Sequence, residues 1–157
     1  FYEESARVPL VVRWPGKIQP ARTKAPVQMM DVYPTIVEAV GGELTPGRFA
    51  KSLLPIATGQ RDRIRPIAVS EIGDKAPLRM MACDARYKYW ADEDREYLFD
   101  LENDPLEQHD LSEVPEHLET LNKMRAKLLL HLRTTQVNRA AGYKSKVQRL
   151  REAGAKK

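Results

Sequence analysis

Residues 86–111 read RYKYWADEDREYLFDLENDPLEQHDL, and this stretch decides how the second half of the chain folds. Two short runs rich in aromatic and apolar residues, YKYW (87–90) and EYLFDL (96–101), flank the polar turn ADEDR. Runs separated by so few residues are typical of neighbouring antiparallel strands. The polar stretch that follows predicts an exit loop, in which Asp100 and Asn103 can make Asx-turns.

Two more strand candidates, IAVSEI (67–72) and LRMMAC (78–83), precede this pair. The turns that join the four runs are short, so the sequence predicts a four-stranded antiparallel meander. Downstream, a long helix is predicted to begin near Pro115, because apolar residues recur at three- and four-residue steps from Leu118 to Leu132. A meander followed by one amphipathic helix predicts an α+β arrangement of sheet against helix.

The first part of the chain shows a different pattern. Residues 8–14, VPLVVRW, form a continuous apolar run rich in β-branched residues, which favours a strand buried on both faces of an α/β sheet. A helix is predicted over residues 31–40, with Asp31 as its N-cap and an apolar face that includes Ile36 and Val40. The following glycine pair, Gly41-Gly42, is expected to end this helix in a left-handed conformation.

The composition is that of an ordinary globular protein, with 42% apolar and 31% charged residues among 157 and a net charge of +4. No apolar run approaches the roughly 20 residues of a membrane span, and nothing resembles a signal peptide. We expect the true N-terminus to lie upstream of Phe1, so the compartment, cytoplasmic or periplasmic, stays open. Residues 136–157 are interpreted as a basic, partly helical tail. Nucleic-acid binding is disfavoured because no aromatic stacking platform accompanies the charge.

The chain by itself shows no recognisable catalytic constellation. The carboxylate-rich exit loop fails the EF-hand pattern, because Pro105 and Leu111 occupy the positions that require Gly and Glu. His117 and His131 are too far apart on their predicted helix to place two imidazoles on one metal. Cys83 lies in a predicted strand with no histidine nearby in sequence, which favours a packing thiol. We therefore expect neither a catalytic residue nor a metal ligand in this chain.

Three segments together resemble the C-terminal part of the type I (formylglycine-dependent) sulfatases, within the alkaline-phosphatase-like superfamily. Residues 1–16, FYEESARVPLVVRWPG, are similar to the family's YE-x-x-x-RVP-…-PG stretch. Residues 31–41, DVYPTIVEAVG, and the SLLPIATG that follows are similar to its D-x-x-PT helix and SL-x-P turn. Residues 86–111 are similar to KY-…-LYDL-x-x-DP-x-E-x-x-NL. The order and spacing of these motifs over residues 1–135 make the resemblance specific.

The resemblance implies the C-terminal part of an alkaline-phosphatase-like sulfatase fold, α/β overall. Residues 1–60 would end the main α/β domain, with a strand at 8–14, and residues 61–135 would form a small α+β domain whose antiparallel sheet packs on a long helix. The parent protein would hydrolyse sulfate esters with a formylglycine nucleophile and a divalent cation, usually calcium, both supplied by upstream residues. Cys83 is not expected to become formylglycine, because Asp-Ala-Arg follows it and the required Pro is absent.

The resemblance also implies an active-site lysine shortly upstream of Phe1. Tyr2 and Glu3 are therefore candidate substrate-binding residues at the border of the pocket, where they either form its wall or brace it. Bracing is favoured, with Arg7 pairing with Glu3 or Glu4. Glu71 and the loop after it are a further candidate border.

We interpret the chain as the C-terminal part of a sulfatase-like hydrolase that is inactive alone. Its expected partner is the upstream part of the sulfatase, and the substrate of the whole protein would be a small sulfate ester. No membrane partner is expected, and the oligomeric state stays open. Two alternatives remain: a non-catalytic binding or oligomerisation module built on residues 65–135, and part of a related phosphonate or phosphate monoester hydrolase.

Overall fold

The computed structural model describes residues 1–44, 49–73, 79–92 and 95–135. The helices are α1 (Glu3–Ala6), α2 (Val32–Ala39), α3 (Leu54–Ala57) and α4 (Leu118–Thr135), and the strands are β1 (Ala68–Ile72), β2 (Arg79–Cys83), β3 (Tyr87–Ala91) and β4 (Glu96–Asp100). Short 3₁₀ turns, Met29–Asp31 and Pro115–His117, lead into α2 and α4.

The chain divides into two compact units. One comprises Phe1–Arg7 and the residues from Val69 onward, and the other comprises Val8–Ala68. The first, here called the sheet unit, contains the meander and α4; the second, here called the connecting unit, contains α2 and α3. The expected domain boundaries at residues 60 and 135 refer to a whole sulfatase and stay a prediction.

The sheet unit confirms the predicted meander. Its strands lie in the order β1-β2-β3-β4, and β3 is antiparallel to both of its neighbours. Trp90 lies opposite Met81 on one side and opposite Tyr97 on the other. Because opposed residues share a face and side chains alternate along a strand, these three residues lie on the same face as Lys88 and Phe99.

The other face of the sheet packs against α4. The buried residues of the helix recur at helical spacing, as the sequence predicts: Leu121, Met124, Arg125, Leu128 and Leu132. Arg125 is paired rather than merely buried, because its guanidinium donates to the carboxylate of Glu96, with Nε 2.7 Å from Oε1. Tyr89 donates its hydroxyl to the same carboxylate oxygen. The helix is therefore fixed to the sheet by apolar packing, by the largely buried carboxylate of Glu96, and by a second ion pair in which Lys127 Nζ lies 2.5 Å from Asp84 Oδ2.

The exit loop covers the outer edge of β4. Leu111 donates its amide to the carbonyl oxygen of Leu98 (2.8 Å), and Leu98 donates to the Asp110 carboxylate (3.1 Å). Asp100 makes the predicted Asx-turn by accepting from the amide of Glu102 at 3.1 Å, whereas Asn103 donates its side-chain amide to Asp100 instead of forming a turn of its own. The loop thus pairs backbone groups that an edge strand would otherwise leave open.

The connecting unit is organised around the carboxylate of Asp31, which has no exposed surface. It accepts from the backbone amides of Gln28 (2.8 Å) and Lys51 (2.9 Å), and it pairs with the guanidinium of Arg65. The predicted N-cap role of Asp31 is therefore wrong in its details. The residue stands at the N-cap position, but its side chain makes no capping bond to α2. It accepts instead from Gln28 at the start of the preceding 3₁₀ turn and from Lys51 after the helix.

Two predictions for the connecting unit differ from the structure. Residues 8–14 are assigned no strand, and their apolar side chains are largely exposed, with Val11 88% exposed. A strand needs hydrogen-bonded neighbours, and none lies beside this run among the described residues. In α2 the buried residues are Pro34 and Thr35, while Ile36 and Val40 of the predicted apolar face are exposed. Gly41 does adopt the predicted left-handed conformation (φ 74°).

Over the described ranges, no helix combines the length and the apolar character that crossing a bilayer requires. The predicted basic tail, residues 136–157, and most of the loop between Gly73 and Arg79 lie outside the described residues.

Replacing Arg65 by Met is expected to destabilise the connecting unit. The change leaves the Asp31 carboxylate buried without its cationic partner, which typically costs about 3 kcal/mol. Hydrogen exchange of the α2 peptides measures the local free energy of opening. Arg61→Met removes an exposed arginine nearby and is the matched control. Equal effects of the two substitutions would contradict the assigned role of Arg65.

Candidate functional site

The N-terminal segment, residues 1–7, lies on the sheet face opposite α4. Phe1 packs against the cluster that contains Trp90 and Phe99. The rings of Phe1 and Tyr2 both meet Trp90 edge-on, with centroid distances of 6.0 Å, and Tyr2 lies 5.9 Å from Phe99. Tyr2 keeps 45% of its surface exposed. The sheet is therefore covered on both faces, by a helix on one and by this short segment on the other.

The centre of this contact is Lys88, whose side chain has no exposed surface. Its ammonium nitrogen lies 2.6 Å from Glu3 Oε1 and 2.9 Å from Glu107 Oε1. It also donates a hydrogen bond to the carbonyl oxygen of Phe1 at 2.9 Å. An ammonium has three N–H donors, and three oxygens surround this one. We call Lys88, Glu3, Glu107 and the Phe1 carbonyl the Lys88 cluster.

Glu107 reaches the cluster from the exit loop. Its carboxylate is 1% exposed and accepts from the backbone amide of Glu3 through Oε2. Glu107 is the one non-glycine residue with a positive φ (53°) that the described part of the chain shows. That conformation costs an L-residue roughly 1–2 kcal/mol. The turn holds it there, because the amide of Glu107 donates to the carbonyl oxygen of Asp104 at 3.1 Å.

The candidate residues from the sequence have different environments. Glu3 is 23% exposed and belongs to the Lys88 cluster, and its predicted pairing with Arg7 is present at 3.9 Å. That pair contributes little, since Arg7 is 76% exposed. Glu71 lies exposed in β1, directly before the undescribed loop. The assignment of Tyr2, Glu3 and Glu71 to a pocket border stays a prediction.

Sequence reasoning did not single out Lys88 or Glu107 as site residues. The available signal was a lysine flanked by aromatic residues in the middle of an apolar strand, in the run YKYW. A lysine is almost never fully buried unless it is paired. The partner was not readable from the pattern, because Glu3 and Glu107 stand far from Lys88 in sequence.

Cys83 neighbours this cluster and behaves as a packing thiol. Burial raises the pKa of the Cys83 thiol to about 12, with Lys88 acting in the opposite direction, so the group stays protonated at neutral pH. A protonated thiol is a poor nucleophile and a poor metal ligand. Over the described ranges, no three His, Cys, Asp or Glu side chains are grouped so that they could hold a metal ion.

The base of the exit loop is fixed by an ion pair. Arg86 Nε lies 2.9 Å from Asp100 Oδ1, and its hydrogen bonding lowers the pKa of Asp100 from 3.8 to about 2, against an opposing effect of burial. This pair closes the loop whose far side carries Glu107. Glu107, in the Lys88 cluster, lies seven residues of chain after Asp100, which Arg86 holds at the base of the loop.

A family profile described as N-sulphoglucosamine sulphohydrolase, C-terminal, matches residues 1–72. A choline-sulfatase of Rhizobium meliloti (strain 1021) is 36% identical over 120 residues, which cover 73% of this chain and 23% of that protein. The chain belongs to the sulfatase family. It corresponds to the C-terminal part of that family's members, and it spans less than a third of the length of the curated sulfatases it matches.

Solved structures agree with the assignment of this chain to the sulfatase family. A 2-O GAG sulfatase superposes with a TM-score of 0.61 at 26% identity, covering 70% of this chain and 26% of that one. A phosphonate monoester hydrolase from Silicibacter pomeroyi superposes with a TM-score of 0.62 at 25% identity, covering 76% and 28%. The expected alkaline-phosphatase-like sulfatase fold is confirmed, and the match to a phosphonate monoester hydrolase shows that this part of the fold is shared between the two enzyme classes.

The three charged residues of the Lys88 cluster stand at motif positions of the sulfatase resemblance. Glu3 matches the acid of YE, Lys88 matches the lysine of KY, and Glu107 matches the acid of DP-x-E. In the sequence these motifs lie apart, and in the structure they meet at one ammonium.

Substitutions at Glu107 separate the role of its carboxylate from that of its backbone. Glu107→Gln keeps the shape but removes a buried charge, and it is expected to lower the free energy of unfolding by about 3 kcal/mol. Glu107→Gly relieves the left-handed backbone, which by itself would add roughly 1 kcal/mol. We expect the loss of the carboxylate to outweigh this gain. Urea unfolding measures both variants, and a Gly variant as stable as the unmodified chain would contradict the role of the carboxylate.

The Arg86–Asp100 pair predicts a pH dependence of stability. The folded pKa of Asp100 is lowered, so its contribution is present above pH 3.8 and is lost as the pH falls toward about 2. In Asp100→Asn the free energy of unfolding should depend less steeply on pH between about 2 and 4. The change in slope corresponds to at most about one proton bound per molecule on unfolding. Urea unfolding at successive pH values measures the slope, with Glu116→Gln as the exposed control. An unchanged slope in Asp100→Asn would contradict the assignment.

Proposed function

We propose that this chain supplies the C-terminal part of a sulfuric ester hydrolase. In the proposal it completes the main α/β domain, packs the small domain against it and borders the substrate pocket with Tyr2, Glu3 and Glu71. The observation that carries the proposal is the match to a choline-sulfatase over 73% of the chain. Its partner would be the upstream part of the sulfatase, and the substrate of the whole protein would be a small sulfate ester.

The chemistry of the whole enzyme would come from groups outside this chain. By resemblance to the sulfatases, a formylglycine supplies the nucleophile and a divalent cation, calcium in the usual case, stabilises the charge on the sulfate oxygens. In the proposal, the residues of this chain contact neither the formylglycine nor the cation. The Lys88 cluster holds the N-terminal segment, which by the same resemblance follows the loop that carries an active-site lysine.

Two contacts support the bracing role of Glu3 in this proposal. Its carboxylate pairs with the buried ammonium of Lys88, and its backbone amide donates to the Glu107 carboxylate. Tyr2 differs, because nearly half of its surface is open to solvent. In the proposal, Glu3 therefore braces the segment and Tyr2 faces the substrate.

Turnover of an aryl sulfate tests the proposal. The purified chain is expected to release no phenol above a control without protein, because the nucleophile and the cation site would lie upstream. The same chain joined to the upstream residues encoded in its gene is expected to hydrolyse the ester. Turnover by the purified chain alone would contradict the assigned division of labour. A Cys- or Ser-x-Pro-x-Arg motif in the upstream residues is a further expected observation.

The second candidate is a phosphonate monoester hydrolase, which the match to the Silicibacter pomeroyi enzyme favours. The same joined protein, assayed with an aryl phosphonate monoester and with an aryl sulfate at equal concentrations, distinguishes the two classes. A higher kcat/KM for the sulfate supports the sulfatase proposal. A higher value for the phosphonate transfers the proposal to the other class, and the absence of both activities favours a binding module.

A further inference from the structure

The Lys88 cluster holds the backbone on both sides of Tyr2. The Lys88 ammonium donates to the carbonyl oxygen of Phe1, one residue before Tyr2. The Glu107 carboxylate accepts from the amide of Glu3, one residue after it. Tyr2 itself stays 45% exposed. The cluster therefore fixes the two peptide units that flank one surface tyrosine.

The chemistry of the cluster favours orientation over simple attachment. Burying an ammonium with two carboxylates carries a desolvation penalty, and apolar residues of similar volume often hold a fold together equally well. Apolar contacts, however, are non-directional, whereas hydrogen bonds to backbone groups fix distance and angle. Glu107 also occupies an unfavourable backbone conformation to place its carboxylate there (φ 53°).

We propose that Lys88 and Glu107 are positioning residues that orient Tyr2, and that Tyr2 selects among sulfate esters by contacting the part of the substrate beyond the sulfate. This inference rests on the proposed function, which gives the N-terminal segment its place beside the substrate. Tyr2 is 45% exposed, and its side chain combines an apolar ring with one hydroxyl, which suit the alcohol portion of an ester rather than the sulfate itself. Neither Lys88 nor Glu107 contacts the substrate in this scheme.

The first experiment measures the restraint without any activity. Hydrogen exchange is followed in the full chain for the peptide that contains residues 1–7 and for the α4 peptide, Leu118–Thr135. In Glu107→Gln the exchange of the first peptide is expected to accelerate by about tenfold or more beyond any acceleration of the α4 peptide, which reports the global loss of stability. Glu3→Gln is a milder second variant, because Glu3 is partly exposed. Glu116→Gln, an exposed acid in the same unit, is the matched control.

Two results of this experiment would overturn the inference. One is an unchanged exchange rate of the N-terminal peptide in both Glu107→Gln and Glu3→Gln, which means that the cluster does not hold the segment. The other is an equal acceleration in the α4 peptide, which means that the cluster stabilises the whole sheet unit and has no specific effect on Tyr2.

The second experiment measures substrate selection in the protein that joins this chain to its upstream part. The readout is the ratio of kcat/KM for a small and a bulky aryl sulfate. Tyr2→Ala and Glu107→Gln are each expected to change this ratio by about tenfold in the same direction. The double variant should change it no further than Tyr2→Ala alone, because Glu107 acts through Tyr2. Glu116→Gln should leave the ratio unchanged.

The outcomes separate this inference from the proposed function. If the unmodified joined protein hydrolyses sulfate esters but the ratio is the same in all variants, the positioning inference is overturned and the sulfatase proposal stands. If no variant and no unmodified protein hydrolyses a sulfate ester, the sulfatase proposal fails, and with it the substrate role of Tyr2, whatever the exchange experiment shows. Additive effects in the double variant would also overturn the inference.

Discussion

A lysine ammonium buried within a β-sheet is the constraint on which the sheet unit depends. Lys88 has no exposed surface, and an uncompensated charge in that position would cost several kcal/mol. Its neutralisation requires acids from two distant parts of the chain, Glu3 and Glu107. The N-terminal segment must therefore lie on the sheet, and the exit loop must turn back toward it. Glu107 adopts its left-handed conformation in the turn after Asp104, and its carboxylate lies against Lys88.

The same sheet carries a polar group on its other face, with a different design. There Glu96 is shared by Arg125 and Tyr89, and the pairing fixes the register of α4 against the meander. Each face thus combines apolar packing, which supplies most of the stabilisation, with ionic contacts, which supply direction. On one face the ionic contacts orient the long helix α4, and on the other they orient only the short N-terminal segment, residues 1–7. A short segment has little apolar area of its own, so its placement depends more on the ionic contact.

The connecting unit combines a buried polar centre with exposed apolar residues. Asp31 and Arg65 give it an internal polar centre, yet Val11, Ile36 and Val40 are exposed. Apolar runs of this kind are typical of elements that another layer of structure covers. In the proposed function that layer is the upstream part of the sulfatase. The curated sulfatases that this chain matches are more than three times as long as the matched region.

The sequence by itself determined the meander, the long helix and the family, because these depend on local periodicity and on motif order. A short polar turn joins YKYW and EYLFDL, which favours neighbouring antiparallel strands, and the leucines from 118 to 132 mark one face of a helix. The strand at 8–14 and the apolar face of α2 were not decided in this way, since burial of an apolar run depends on what lies beside it. Only the tertiary structure decided the partners of Lys88, the true contacts of Asp31 and the covering of the second sheet face. Lys88 contacts Phe1 across 87 residues of chain, and Asp31 contacts Lys51 across 20 residues. Such contacts leave no periodic pattern in the sequence, because each partner is a single residue whose position is set by the fold.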